Sequence, residues 1–138
     1  VSACDTAPLA IERLTVRADR LVCDVALAPG TPHRTSPQLM ERVCVAHPHV
    51  PRHACVNDEG DTFAAVMNGT SLPHLLEHLV IDLQTQATAQ RDAVFVGTTE
   101  WTDERAGRAR IEVSFIDDLV ALRAFRDAIA FLNAAVVR

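Results

Sequence analysis

The sequence predicts an α+β fold, a two-layer sandwich in which helices pack on one face of a mostly antiparallel four-stranded sheet. Three observations carry that expectation. Two alternating apolar segments open the chain as a hairpin, two strongly helical segments occupy the middle and the end, and the whole order is β-β-α-loop-α-β-β-α without an internal repeat, linker or low-complexity tract. At 138 residues, 49% of them hydrophobic, the chain is expected to be a single domain, residues 1–138, able to bury a core without disulfide staples.

Taken in order, Leu9 to Arg17 alternates as a strand and Leu21 to Ala28 is a second, so Ala18-Asp19-Arg20 reads as the hairpin turn. Pro29-Gly30-Thr31-Pro32 breaks the pattern. Ser36-Pro37 then starts a short helix to about Val45, whose Leu39, Met40 and Val43 are expected to lie on the sheet. Ala46 to Asp61 is the longest irregular stretch, rich in proline, glycine and histidine, and Thr62 to Gly69 leads into the main helix. That helix, capped by Thr70 or Ser71 with Pro73 in its first turn, runs to Gln84 and frays toward Arg91. Ala93 to Val96 reads as a short strand with Gly97 to Trp101 as its exit loop, and Arg110 to Phe115 alternates as a half-buried strand. A last helix from about Asp117 to Val136 is expected to turn Leu119, Leu122, Phe125, Ile129 and Leu132 toward the core.

Composition excludes several functions. The formal charge is −5 and the 13 Lys and Arg are scattered rather than gathered into a basic stripe, which argues against nucleic acid. No apolar run reaches the length of a membrane span, and Val1-Ser2-Ala3-Cys4 has no signal-peptide character, so a cytoplasmic protein is expected. The four cysteines, Cys4, Cys23, Cys44 and Cys55, contain no Cys-x-x-Cys pair and are expected to be reduced. Cys23 reads as core. Cys44 and Cys55 flank His47, His49 and His53, but the spacing fits no standard zinc knuckle and the prolines suggest a solvated loop.

The chemistry concentrates in Thr70 to Gln84. Leu72, Leu75, Leu76, Leu79 and Leu83 form one apolar stripe, while His74 and His78, four residues apart, share the nearly opposite face with Glu77 beside them. Ile81 falls between Glu77 and His78 on the helical wheel, which places the cluster at the wall of a groove. His-x-x-Glu-His is an inverted zincin motif: two imidazoles one turn apart can clamp a single Zn²⁺, and the glutamate is placed to take a proton from the attacking water. The plainer alternative is an amphipathic helix carrying exposed histidines and a Glu–His pair.

The run Asn68-Gly69-Thr70, then His74-x-x-Glu77-His78-Leu79-x-x-Asp82-Leu83-Gln84, then Phe95-Val96-Gly97-Thr98-Thr99-Glu100, a strand and an alanine-rich closing helix, resembles the N-terminal domain of cyanophycin synthetases. The likeness extends over nearly the whole chain, with the helix and the Thr98–Glu100 loop as its specific parts. It implies a metal-dependent hydrolytic site at His74, Glu77 and His78. Asp82 stands where the family has Glu, and Gly97 and Thr99 stand where it has arginines, a departure that bears on recognition of the aspartate–arginine polymer. Nothing resembles a phosphate-cradling Walker loop, so ATP-driven peptide synthesis is not expected.

These residues lead to a zinc-dependent peptidase or amidase acting on a peptide or cyanophycin-like polymer. His74 and His78 hold the metal, Glu77 is the general base, and Glu100, in a loop free to fold back over the helix, is the expected third ligand, with Asp82, Glu112 and Cys55 as competitors in that order. The second reading is a non-catalytic module of the same fold that binds an extended peptide or a partner chain. A homo-oligomer stays open on either reading.

Overall fold

The computed structural model describes residues 7–55 and 57–137. The strand β1 (Leu9–Val16) and β2 (Arg20–Leu27) form the opening hairpin, followed by α1 (Pro37–Ala46), two single 3₁₀ turns (Val50–Arg52 and Phe63–Ala65), α2 (Leu72–Ala87), the hairpin β3 (Gly97–Asp103) and β4 (Arg108–Ser114), and α3 (Asp118–Val136). The four strands make one antiparallel sheet in the order β1-β2-β4-β3, so the two hairpins meet at β2 and β4. The architecture is α+β with helices packed against an open antiparallel sheet.

Helix starts follow local chemistry. Ser36 Oγ accepts from Leu39 N, Ser71 Oγ accepts from His74 N, and Asp117 Oδ1 accepts from Leu119 N and Val120 N. Each cap is worth about 1 kcal/mol. Pro37 and Pro73 sit in first turns, where a missing N–H costs nothing.

The sheet is two-faced because successive side chains along β2 and β4 point to opposite sides. Leu21, Cys23 and Val25 on β2 stand opposite Val113, Ile111 and Ala109 on β4, and all six are buried under the helices. Val22, Asp24, Arg110 and Glu112 take the other face, where Arg110 Nε pairs with Asp24 at 2.9 Å. Both α2 and α3 lie against strands, whereas α1 packs against α3 rather than on the sheet as expected. Leu39, Met40 and Val43 of α1 still reach the common core.

Two further expectations are corrected. Residues 93–96 form no strand: Phe95 is buried, but Val94 is 79% exposed, and the paired strand is the stretch read as an exit loop, Gly97–Asp103. The β-branched and aromatic residues Thr98, Thr99, Trp101 and Thr102 suit an edge strand that turns only one face, Gly97, Thr99 and Trp101, inward, and that preference outweighs the short apolar run before it. Leu119, expected in the core, is 70% exposed, because the buried stripe of α3 runs through Ala121, Ala124, Phe125, Ala128, Leu132 and Ala135. Leu119 lies about 120° from Phe125 around the helix, and the small alanines let α3 come close to its neighbours.

Candidate metal centre

The helix α2 is buried nearly all round. Its leucines fill the core on one side, and Glu77, His78 and Asp82 are buried on the other. A helix in that position needs polar partners for its polar residues, and the irregular segment after α1 supplies them. Val50 and Phe63 anchor that segment in the core, Phe63 N bonds His53 O, and Cys55 N bonds Asp61 O. Asn57 knits the turn, donating from Nδ2 to the carbonyls of Cys55 and Thr62 and accepting from the N–H groups of Glu59 and Gly60. The result presents His53 and Cys55 to the face of α2 that carries His74 and His78.

Cys55, His74 and His78 form a group that could hold a metal ion: one donor atom from each lies within 4.8 Å of the other two. His74 Nε2 is 3.2 Å from His78 Nε2 and 3.6 Å from Cys55 Sγ. The far nitrogens are engaged elsewhere, His74 Nδ1 with Thr70 Oγ1 at 2.8 Å and His78 Nδ1 with His53 Nδ1 at 3.1 Å. Phe63 packs on both rings, with centroids 5.1 Å from His74 and 4.3 Å from His78. Burial lowers the pKa of both imidazoles, that of His78 to about 3, so they are neutral with a lone pair to offer. A sulfur and two imidazole nitrogens fit a borderline-soft cation such as zinc and suit calcium or magnesium poorly.

Glu77 stands beside this group. Its Oε1 accepts from the Thr99 hydroxyl at 2.7 Å, and its Oε2 lies 3.8 Å from His78 Nε2. Burial raises its pKa, with the Thr99 hydrogen bond and the nearness of His53 partly opposing that rise. Gly97 leaves the room for it: a Cβ there would come within 2.8 Å of Glu77 Cγ and 2.9 Å of Oε2. These residues open into a cleft of about 780 Å³ that is also lined by Arg34, Thr70, Ser71, Ile81 and the segment Val94 to Thr99.

Glu100, the expected third ligand, is elsewhere. It stands opposite Arg110 in the sheet, on the solvent face, while its neighbour Thr99, opposite Ile111, points to α2. The reason is the two-residue period of a strand: once this segment pairs as β3, only one of Thr99 and Glu100 can face the helix. Glu112 shares the solvent face and pairs with Arg20 at 3.1 Å. Asp82 is 2% exposed and is engaged by His47 Nδ1 at 2.8 Å and Gln86 Nε2 at 2.6 Å. Burial pushes its carboxyl up, but the contacts with His47 and His53 outweigh that and hold it well below the usual range.

The residue that joins His74 and His78 in a group that could hold a metal is Cys55, the last of the competitors named on sequence, and His53 had no assigned role. The sequence signal for both lay in the density of Cys and His between Cys44 and Cys55. Cys44 itself stays on α1 outside the group, Cys23 is core with its thiol pushed up to about 12 by burial, and Cys4 lies outside the described residues. Among the described residues no helix is long and apolar enough to cross a membrane.

Residues 20–137 match the family described as cyanophycin synthase-like N-terminal domain. Comparison with curated proteins gave no match.

Proposed function

The chain belongs to the cyanophycin synthase-like N-terminal domain family, and from that premise we propose that it is a zinc-dependent hydrolase of amide bonds, acting on a peptide or cyanophycin-like polymer in the cleft before α2. The observation that carries the proposal is the convergence of Cys55, His74 and His78 beside the buried carboxylate of Glu77.

Cys55, His74 and His78 hold the ion, and three protein donors leave a position for water or substrate. Zinc at this place supplies Lewis acidity, polarising the amide carbonyl and making a water easier to deprotonate. Glu77 takes the proton of the attacking water and passes it to the leaving amine. Its raised pKa brings it nearer to neutrality than an exposed carboxylate, as a base that must later act as an acid requires. Thr99 fixes Oε1 and so leaves Oε2 as the oxygen nearer the histidines.

The test uses the whole chain. Protein stripped with a chelator, reloaded with zinc and desalted is expected to carry about one zinc per chain and to cleave cyanophycin or an unstructured peptide. Glu77→Gln is expected to keep the zinc and lose turnover, whereas Cys55→Ala, His74→Ala and His78→Ala lose the zinc. Metal-free wild type after reloading, or a Glu77→Gln variant that turns over normally, overturns the proposal.

A further inference from the structure

Two residues outside the donor group stand in line with it. His53 Nδ1 is 3.1 Å from His78 Nδ1, and on the far side of the ring His53 Nε2 is 3.7 Å from Asp82 Oδ1. That last separation is long for a hydrogen bond but well within reach of the carboxylate's charge. The other oxygen of Asp82 is already taken by donors from His47 and Gln86.

Ring nitrogens meeting at 3.1 Å can share one proton, so one ring donates and the other accepts. An ionised carboxylate only accepts. It favours the proton of neutral His53 on Nε2, which leaves a lone pair on His53 Nδ1, and His78 must then donate from Nδ1 and keep its own lone pair on Nε2. We propose that Asp82, acting through His53, fixes His78 in its Nδ1-protonated tautomer and thereby presets Nε2 as a metal donor. Asp82 and His53 are positioning residues.

The same polarity runs through the rest of the line. His74 Nε2–H can donate to the His78 lone pair at 3.2 Å while the Thr70 hydroxyl donates to His74 Nδ1 at 2.8 Å, so every donor points toward Asp82. Cys55 binds as the thiolate and gives up its thiol proton, and within the line of imidazoles a cation displaces the proton between the two Nε2 atoms. His74 can carry it on Nδ1 instead, because the Thr70 oxygen accepts as readily as its hydroxyl donates. The tautomer belongs to the metal-free chain; its use in holding metal rests on the function proposed above.

Asp82→Asn tests the polarity. The donors of His47 and Gln86 draw the amide oxygen to their side, which turns the amide NH₂ toward His53 Nε2. His53 must then carry its proton on Nδ1, and His78 is driven to the Nε2-protonated form that cannot bind metal. Nitrogen-15 NMR of metal-free protein is expected to show His78 protonated at Nδ1 in wild type and at Nε2 in Asp82→Asn. Competition with a chromophoric chelator is expected to show zinc affinity lower by about 10- to 100-fold in that variant. His53→Asn, whose Oδ1 can stand where Nδ1 stood and accept from His78, is expected to hold zinc within a few-fold of wild type, and His53→Leu is expected to lose it. An Nε2-protonated His78 in wild type, or equal zinc affinity in wild type and Asp82→Asn, overturns the inference. Failure of wild type to bind zinc at all would sink the hydrolase reading while the tautomer result stood on its own.

Discussion

Gly97→Ala probes the contact between β3 and the base without needing a substrate. The new Cβ would lie 2.8 Å from Glu77 Cγ, 2.9 Å from Oε2 and 3.0 Å from the carbonyl oxygen of Glu112. The first of these is roughly 0.7 Å short of an ordinary carbon contact. The Glu112 carbonyl belongs to the paired strand β4 and cannot retreat cheaply, so the strain falls on Glu77, which is tethered by Thr99. Overpacking of this kind costs about 1–3 kcal/mol. With a urea dependence of about 1–3 kcal/mol per molar, the unfolding midpoint is expected to drop by roughly 1 M. In a Glu77→Ala background two of the three close contacts vanish, and the same substitution is expected to cost at least about 1 kcal/mol less. A Gly97→Ala protein as stable as wild type, or one that loses the same amount in both backgrounds, refutes the packing argument.

Stability of the metal-free chain is expected to fall on acidification. His78 is held near 3 in the fold against an ordinary 6.5, so between those values the unfolded chain binds the extra proton and gains; the full effect is of the order of 5 kcal/mol. His74 acts with the same sign, Glu77 with the opposite one, and Asp82 adds a loss only below the ordinary carboxylate range. Urea midpoints that stay level from pH 7 to pH 4 in chelator contradict this. Thr99→Val removes the hydroxyl that steadies the Glu77 carboxylate, so its pKa moves further up and the acid limb of the rate profile shifts to higher pH. An unmoved limb removes Glu77 as the titrating base.

The opening hairpin, the strand β4 and the helices were legible because each carries a local rule: alternation at Leu21–Leu27 and Arg108–Ser114, and a serine or aspartate cap before each helix. The His74, Glu77 and His78 cluster was legible for the same reason, since a four-residue spacing is a statement about one helix. Glu100 and Cys55 were not. Which carboxylate or thiol meets the helix depends on strand register and on the path of an irregular segment, and neither is written in neighbouring residues. Thr99 and Glu100 are adjacent and both polar, yet one faces the base and the other faces water. His53 was hidden similarly, because its value lies in being between Asp82 and His78 in space.

The near-complete burial of α2 sets the chain's functional groups against its own durability. Glu77, His78 and Asp82 occupy positions where leucine or methionine of similar volume would pack with no partners to satisfy. Each is tolerated only because Thr99, His53 and His47 answer it. Descendants of such a chain face an uneven choice: a first polar loss strands its partner and weakens the fold, whereas replacing the whole set by apolar side chains strengthens it and ends the chemistry. A silent copy of this domain would therefore drift toward a greasier central helix.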